Sequence, residues 1–319
     1  MAILRPVRIF LDTRDAIELS HLVNGAAKSG AMPKSQAYQQ ILRWICRGDC
    51  SLIVGTLQMY EWMKGSDSAA LEIASVYDLS KTVLRVEGDG LCPVIEVLNE
   101  AKRLMPDLPF SAFEILRPFS APEEYLRFLG NEVFEHLPLG KRVRMKTPPV
   151  FPRVSDRVRH NINTKTNSPD WWRDMQGTSE IFRSTFSLTR PRLLNNGLTI
   201  DAAARGWLRH GMKMIDVLTP HCGSKAADDF VRVCDFARCP SVTLHTAVML
   251  KYARANTEPK RNDREDFAWL ALVAYSDVAL IESRMREFIT SAERQRADSV
   301  FSDPVLACRA IETRLTTAA

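Results

Sequence analysis

Val7-Arg8-Ile9-Phe10-Leu11-Asp12-Thr13 is the stretch that decides the fold. Its short β-branched and aromatic run is the kind that a parallel sheet buries on both faces. An aspartate follows at once, and Asp15 stands close behind. A carboxylate where a buried strand emerges is not explained as solubilising charge. It marks the place where ligand sites form in open parallel sheets.

Strands and helices alternate outward from this run. Residues 15–28 predict a helix, with Ile17, Leu19, Leu22 and Val23 available for a core. A second helix over 34–47 carries Ile41, Leu42, Trp44 and Ile45. Residues 51–55 read as a second strand, and Thr56 is placed to cap a helix bearing Glu61. A helix over 69–79 and a strand over 82–86 follow. This alternation predicts an α/β fold with a mostly parallel sheet. Residues 93–101 and 122–135 also predict helices, whereas 138–170 is rich in Pro, Asn, Lys and Arg and shows no clear periodicity. Helices are expected over 202–218 and 226–237, then from 242 through Tyr252 and over 265–274, with a last strand at 278–282. No internal repeat is evident.

At 319 residues, with 45% apolar and 25% charged residues, the chain has ample material for a core. A net charge of +5 hints mildly at an anionic partner. No apolar run approaches the roughly 18–20 residues of a membrane span, and the N-terminal residues lack the pattern of a signal peptide. Seven cysteines without a disulfide rhythm point to a reducing cytoplasm. His221, Cys222, Cys234, Cys239 and His245 invite a zinc reading, but no C-x-x-C pair is present and buried cysteines are the better expectation. Neither a Gly-x-Ser-x-Gly elbow nor a phosphate-binding glycine loop occurs.

A second acidic group lies near the other end of the sequence. Asn262-Asp263-Arg264-Glu265-Asp266 sets Asp263 and Asp266 three apart, on one face of a helix start. Beyond it, Tyr275-Ser276-Asp277-Val278-Ala279-Leu280-Ile281-Glu282 sets Asp277 at the opening of the last strand and Glu282 at its close. Any one of these acids, like Asp12, could serve as a helix cap instead. Taken together they read as an acidic pocket, and hard cations such as Mg²⁺ or Mn²⁺ prefer such oxygen ligands.

These motifs resemble those of PIN-domain nucleases. Leu11-Asp12-Thr13 is similar to the family's first motif, although Arg14 stands where an Asn is common. Ile53 to Glu61 resembles the second, in which a strand leads to a helix bearing a Glu. Asn262 to Asp266 resembles the third, and Tyr275 to Glu282 the last strand, which more often closes on Asp. The resemblance implies a PIN-like three-layer sandwich around a central, mostly parallel sheet, with a helical insertion. The expected division is a split nuclease core over 1–100 and 225–295, a mostly helical insertion over 101–224, and a C-terminal helix or tail over 296–319. The implied activity is Mg²⁺- or Mn²⁺-dependent hydrolysis of RNA by a water nucleophile, leaving a 5′-phosphate and a 3′-hydroxyl.

On this reading Asp12, Asp266 and Asp277 hold metal, with Glu61 completing the catalytic set and Asp263, Glu282 and Glu96 as second candidates. Lys141, Arg142, Arg144, Lys146, Arg153, Arg157 and Arg159 form the expected RNA surface, and Lys165, Trp171 and Trp172 lie beside it. The expected partners are single-stranded or structured RNA, with room for a protein inhibitor and none for a membrane. The rival readings are a catalytically weakened nucleic-acid-binding module and a protein-interaction scaffold.

Overall fold

The computed structural model describes residues 5–25, 32–87, 91–122, 149–165, 198–255, 267 and 269–317. From the N-terminus, β1 (Val7–Leu11) leads into α1 (Thr13–Val23) and α2 (Met32–Arg47). β2 (Cys50–Val54), α3 (Thr56–Trp62), α4 (Asp67–Asp78), β3 (Val83–Val86) and α5 (Cys92–Leu104) follow. β4 (Leu116–Pro118) and α6 (Val154–Lys165) come next, then α7 (Ile200–Gly206), α8 (Met214–Cys222), α9 (Ser224–Val233) and α10 (Pro240–Arg254). α11 (Leu270–Tyr275), β5 (Val278–Leu280), α12 (Ser283–Ala292), β6 (Val300–Phe301) and α13 (Pro304–Thr317) complete the described elements.

The six strands form one sheet in the order β4-β3-β2-β1-β5-β6, parallel throughout except for β4 on its edge. Strand periodicity sorts the core into two layers. Val7, Ile9 and Leu11 of β1 point to one face with Leu52, Val54 and Leu280, where α1, α2, α3, α4, α6 and α13 cover them. Phe10 points to the other with Ile53, Val86 and Ala279, against Tyr252, Leu270 and Met285. Because both faces are covered, the strands read as near-continuous apolar runs. The architecture is therefore α/β, with helices on both faces of a mostly parallel sheet. A further apolar cluster joins α5 to α8, α9 and the start of α10 through Leu98, Met214, Phe230 and Val242.

Several expected boundaries move. β4, inside the 101–224 stretch, pairs with β3, so that stretch contributes to the sheet. Residues 296–319 hold a C-terminal helix, α13, as one of the two expected alternatives, and they also join the core, since β6 pairs with β5 and Ala307 and Ile311 of α13 are buried. The stretch without clear periodicity contains α6. Val154 and Val158, four apart, pack it into the core, and the Asp78 carboxylate caps it by accepting the Val154 and Ser155 amides at 2.9 and 3.3 Å. Gly55, not Thr56, precedes α3 at the capping position. The helix expected over 202–218 is broken by a π-helical turn, Trp207–Gly211, and by Lys213 with φ of 51°. A Cβ at Gly211 would lie 2.3 Å from the Trp207 ring, so only glycine fits that turn.

Among the described residues, no helix is long and apolar enough to cross a membrane.

Candidate functional site

The chain winds from β1 through β2 to β3 in one direction and returns to β5 on the other side of β1. The crossovers diverge between β1 and β5, and the carboxyl ends at such a switch point are the usual ligand position in open parallel sheets. Register brings two acids there. Leu11 pairs with Leu280, and the Asp12 amide donates to the Leu280 carbonyl at 2.8 Å, so Asp12 and Glu282 emerge from neighbouring strands at the same edge.

Asp12 is only 7% exposed. It occupies the capping position of α1, yet its side chain makes no capping hydrogen bond. Burial above all, then Asp15 and also Glu282, pushes its carboxyl up to about 6, against the pull of Arg14 and the Thr13 amide. Asp15 is fully buried. Burial raises its pKa as well, while the Tyr38 hydroxyl and the Arg14 guanidinium stabilise its charge. Tyr38 Oη donates to Asp15 Oδ1, and Arg14 Nη2 lies 3.0 Å from Oδ2. Glu282 is exposed and precedes α12 without a side-chain capping bond. Glu61 is half-buried on α3, which leaves the carboxyl end of β2 and touches α1.

Behind Asp12 lies a buried polar layer. Gln58 Nε2 donates to the Leu11 carbonyl at 2.6 Å and reaches Tyr77 Oη at 3.4 Å. Tyr77 is buried and close enough for the Asp12 charge to help raise its pKa, after the larger effect of burial. Sequence reasoning does not assign Asp15, Tyr38, Gln58 or Tyr77 to the site. The i, i+3 spacing of Asp12 and Asp15 is the one available signal, because it sets both on one face of a helix start.

Asp277 does not join this group, which corrects its expected metal role. Parallel strands start at one edge and end at the other, so the residue opening β5 lies at the far edge from Asp12, roughly 13 Å away at strand rise. There its carboxylate accepts from the Arg8 amide at 2.9 Å, Arg8 Nη2 at 2.8 Å and Arg5 Nη2 at 3.2 Å. Burial opposes its charge, but the hydrogen bonds from Arg8 prevail and hold its pKa below the usual value. Asp277→Ala is expected to cost about 2 kcal/mol, the scale of hydrogen bonds to a charged group, and to leave the thermal response to added Mn²⁺ the same as that of wild type. Urea denaturation and a metal titration check the two halves.

Glu96 is likewise structural. It is buried on α5 and caps α10, accepting from the Ser241 amide at 2.9 Å, the Val242 amide at 3.0 Å and the Tyr275 hydroxyl at 2.7 Å. Burial pushes its carboxyl up to about 7 despite these bonds. Arg157 is not a surface cation. It is buried, stacks over Phe151 at 5.2 Å and lines a small cleft with Arg85. Arg153 and Arg159 are exposed, the latter 3.4 Å from Asp156. Cys234 and Cys239 are buried, and His245 Nδ1 lies 2.7 Å from the Ser241 carbonyl.

Asp263 and Asp266 lie outside the described residues, as do Lys141, Arg142, Arg144, Lys146, Trp171 and Trp172, and the side chain of Lys165. Just past Asp266, Phe267 is buried against Tyr252 with ring centroids 5.4 Å apart. Two residues on, Trp269 packs on Phe10 of β1 at 6.0 Å. Among the described residues, no three His, Cys, Asp or Glu side chains are grouped to hold a metal ion. The donors at the switch point are carboxylate oxygens, the chemistry that suits Mg²⁺ or Mn²⁺. No protein-family profile matches the chain, and no curated protein or solved structure is significantly similar to it.

Proposed function

We propose that the protein is a PIN-like, Mg²⁺- or Mn²⁺-dependent ribonuclease with its centre at the carboxyl ends of β1 and β5. One observation carries the reading. Asp12 is buried at the topological switch point, crowded by Asp15 and Glu282, and makes no capping bond. Such crowding costs free energy, and a divalent cation would relieve it.

Asp12 and Asp266 would hold the ion, Asp266 being the residue before the anchored Phe267. Glu61 and Glu282 would complete or orient the site. Asp15, held by Tyr38 and Arg14, acts by keeping α1 and the Asp12 carboxylate in place. The ion, when bound, supplies an activated water for in-line attack on an RNA phosphodiester, leaving 5′-phosphate and 3′-hydroxyl ends. Arg153 and Arg159 are exposed cations available to RNA phosphates.

The test is cleavage of a mixed single-stranded RNA in Mn²⁺ or in EDTA, by wild type and Asp266→Asn. Cutting that needs Mn²⁺ and falls more than about 100-fold in the variant is expected, the scale of losing a metal's several kcal/mol of transition-state stabilisation. Absence of cutting on any RNA or DNA, with no thermal shift from Mn²⁺, rejects the reading. A second reading is favoured by Arg14, whose guanidinium lies beside Asp15 and lowers the Asp12 pKa, as a cation in the pocket would. On that reading the fold is a catalytically weakened RNA-binding module, and salt-sensitive RNA binding without cutting identifies it.

A further inference from the structure

We draw no further inference here: the strongest candidate, the small cleft between the end of β4 and the start of α6 lined by Arg85, Arg157, Phe119 and Phe151, carries nothing, because Arg85 is engaged by the Phe119 and Ala121 carbonyls and the Glu87 carboxylate, Arg157 stacks over Phe151, and nothing in the structure shows what covers it.

Discussion

Asp12→Asn should raise the stability of the metal-free protein by about 3 kcal/mol at pH 7.5 and abolish its stabilisation by Mn²⁺. The folded-state pKa of Asp12, about 6, lies above the unfolded value of 3.8. The native state therefore binds the extra proton, and the group's favourable contribution is complete below pH 3.8 and lost as pH rises through 6. Above that the ionised carboxylate destabilises the fold, by about 1.4 kcal/mol for each tenfold weakening of its acidity, and an amide carries no such penalty. Wild type, by contrast, should gain about 2.7 kcal/mol from Mn²⁺ at a hundred times its dissociation constant. Guanidinium denaturation with and without Mn²⁺ checks both. A large loss of metal-free stability in the variant would instead make Asp12 a structural partner of α1 and end the site reading.

Glu96→Gln should change the pH dependence of folding by a similar amount without touching the site. The Glu96 carboxyl is pushed from 4.5 to about 7, so the native state again favours the proton. Its contribution is present below pH 4.5 and lost as pH rises through 7. The groups around it supply no cation among the described residues. Cys92 and Glu100 flank it on α5, Cys239 lies beneath α10, and Tyr275 donates from α11. His245 works in the opposite direction, because burial lowers its pKa to about 4 and favours the neutral ring as pH rises. The difference between wild type and Glu96→Gln, which cancels His245, should shift by about 3 kcal/mol between pH 4.5 and pH 7.5 in favour of the variant at high pH. Parallel profiles would mean that Glu96 titrates normally.

The contrast between Asp12 and Asp277 shows what sequence can and cannot say here. Both adjoin apolar runs, and the runs are legible because buried parallel strands are continuously apolar. What separates the two acids is strand direction, since one closes β1 and the other opens β5. That polarity is readable, but only once the strands are known to be parallel. Arg157 shows a different obstacle. Its helix alternates arginines with the valines that face the core, and the charge conceals the 3.6-residue period. Glu96 reads as a site acid because the Ser241 amide it accepts from lies 145 residues further on. Gln58 is invisible for the same reason, since its meaning depends on the Leu11 carbonyl 47 residues away. Short-range pattern reveals elements, whereas the partners of a buried polar atom are set by topology.

The position of β1 in the sheet also has a consequence for how the protein is made. One edge of β1 is satisfied early by β2, but its other neighbour is β5, which pairs Leu11 with Leu280. At ribosomal rates of about 5–20 residues per second, that partner follows roughly 15–50 s behind. Throughout this interval the nascent chain carries an open, apolar strand edge of the kind that recruits other chains. Glu282 leaves the ribosome only after β5, so Asp12 gains this acidic neighbour no earlier than its strand partner. A chain terminated before β5 should therefore be aggregation-prone, because the β1 edge then stays open.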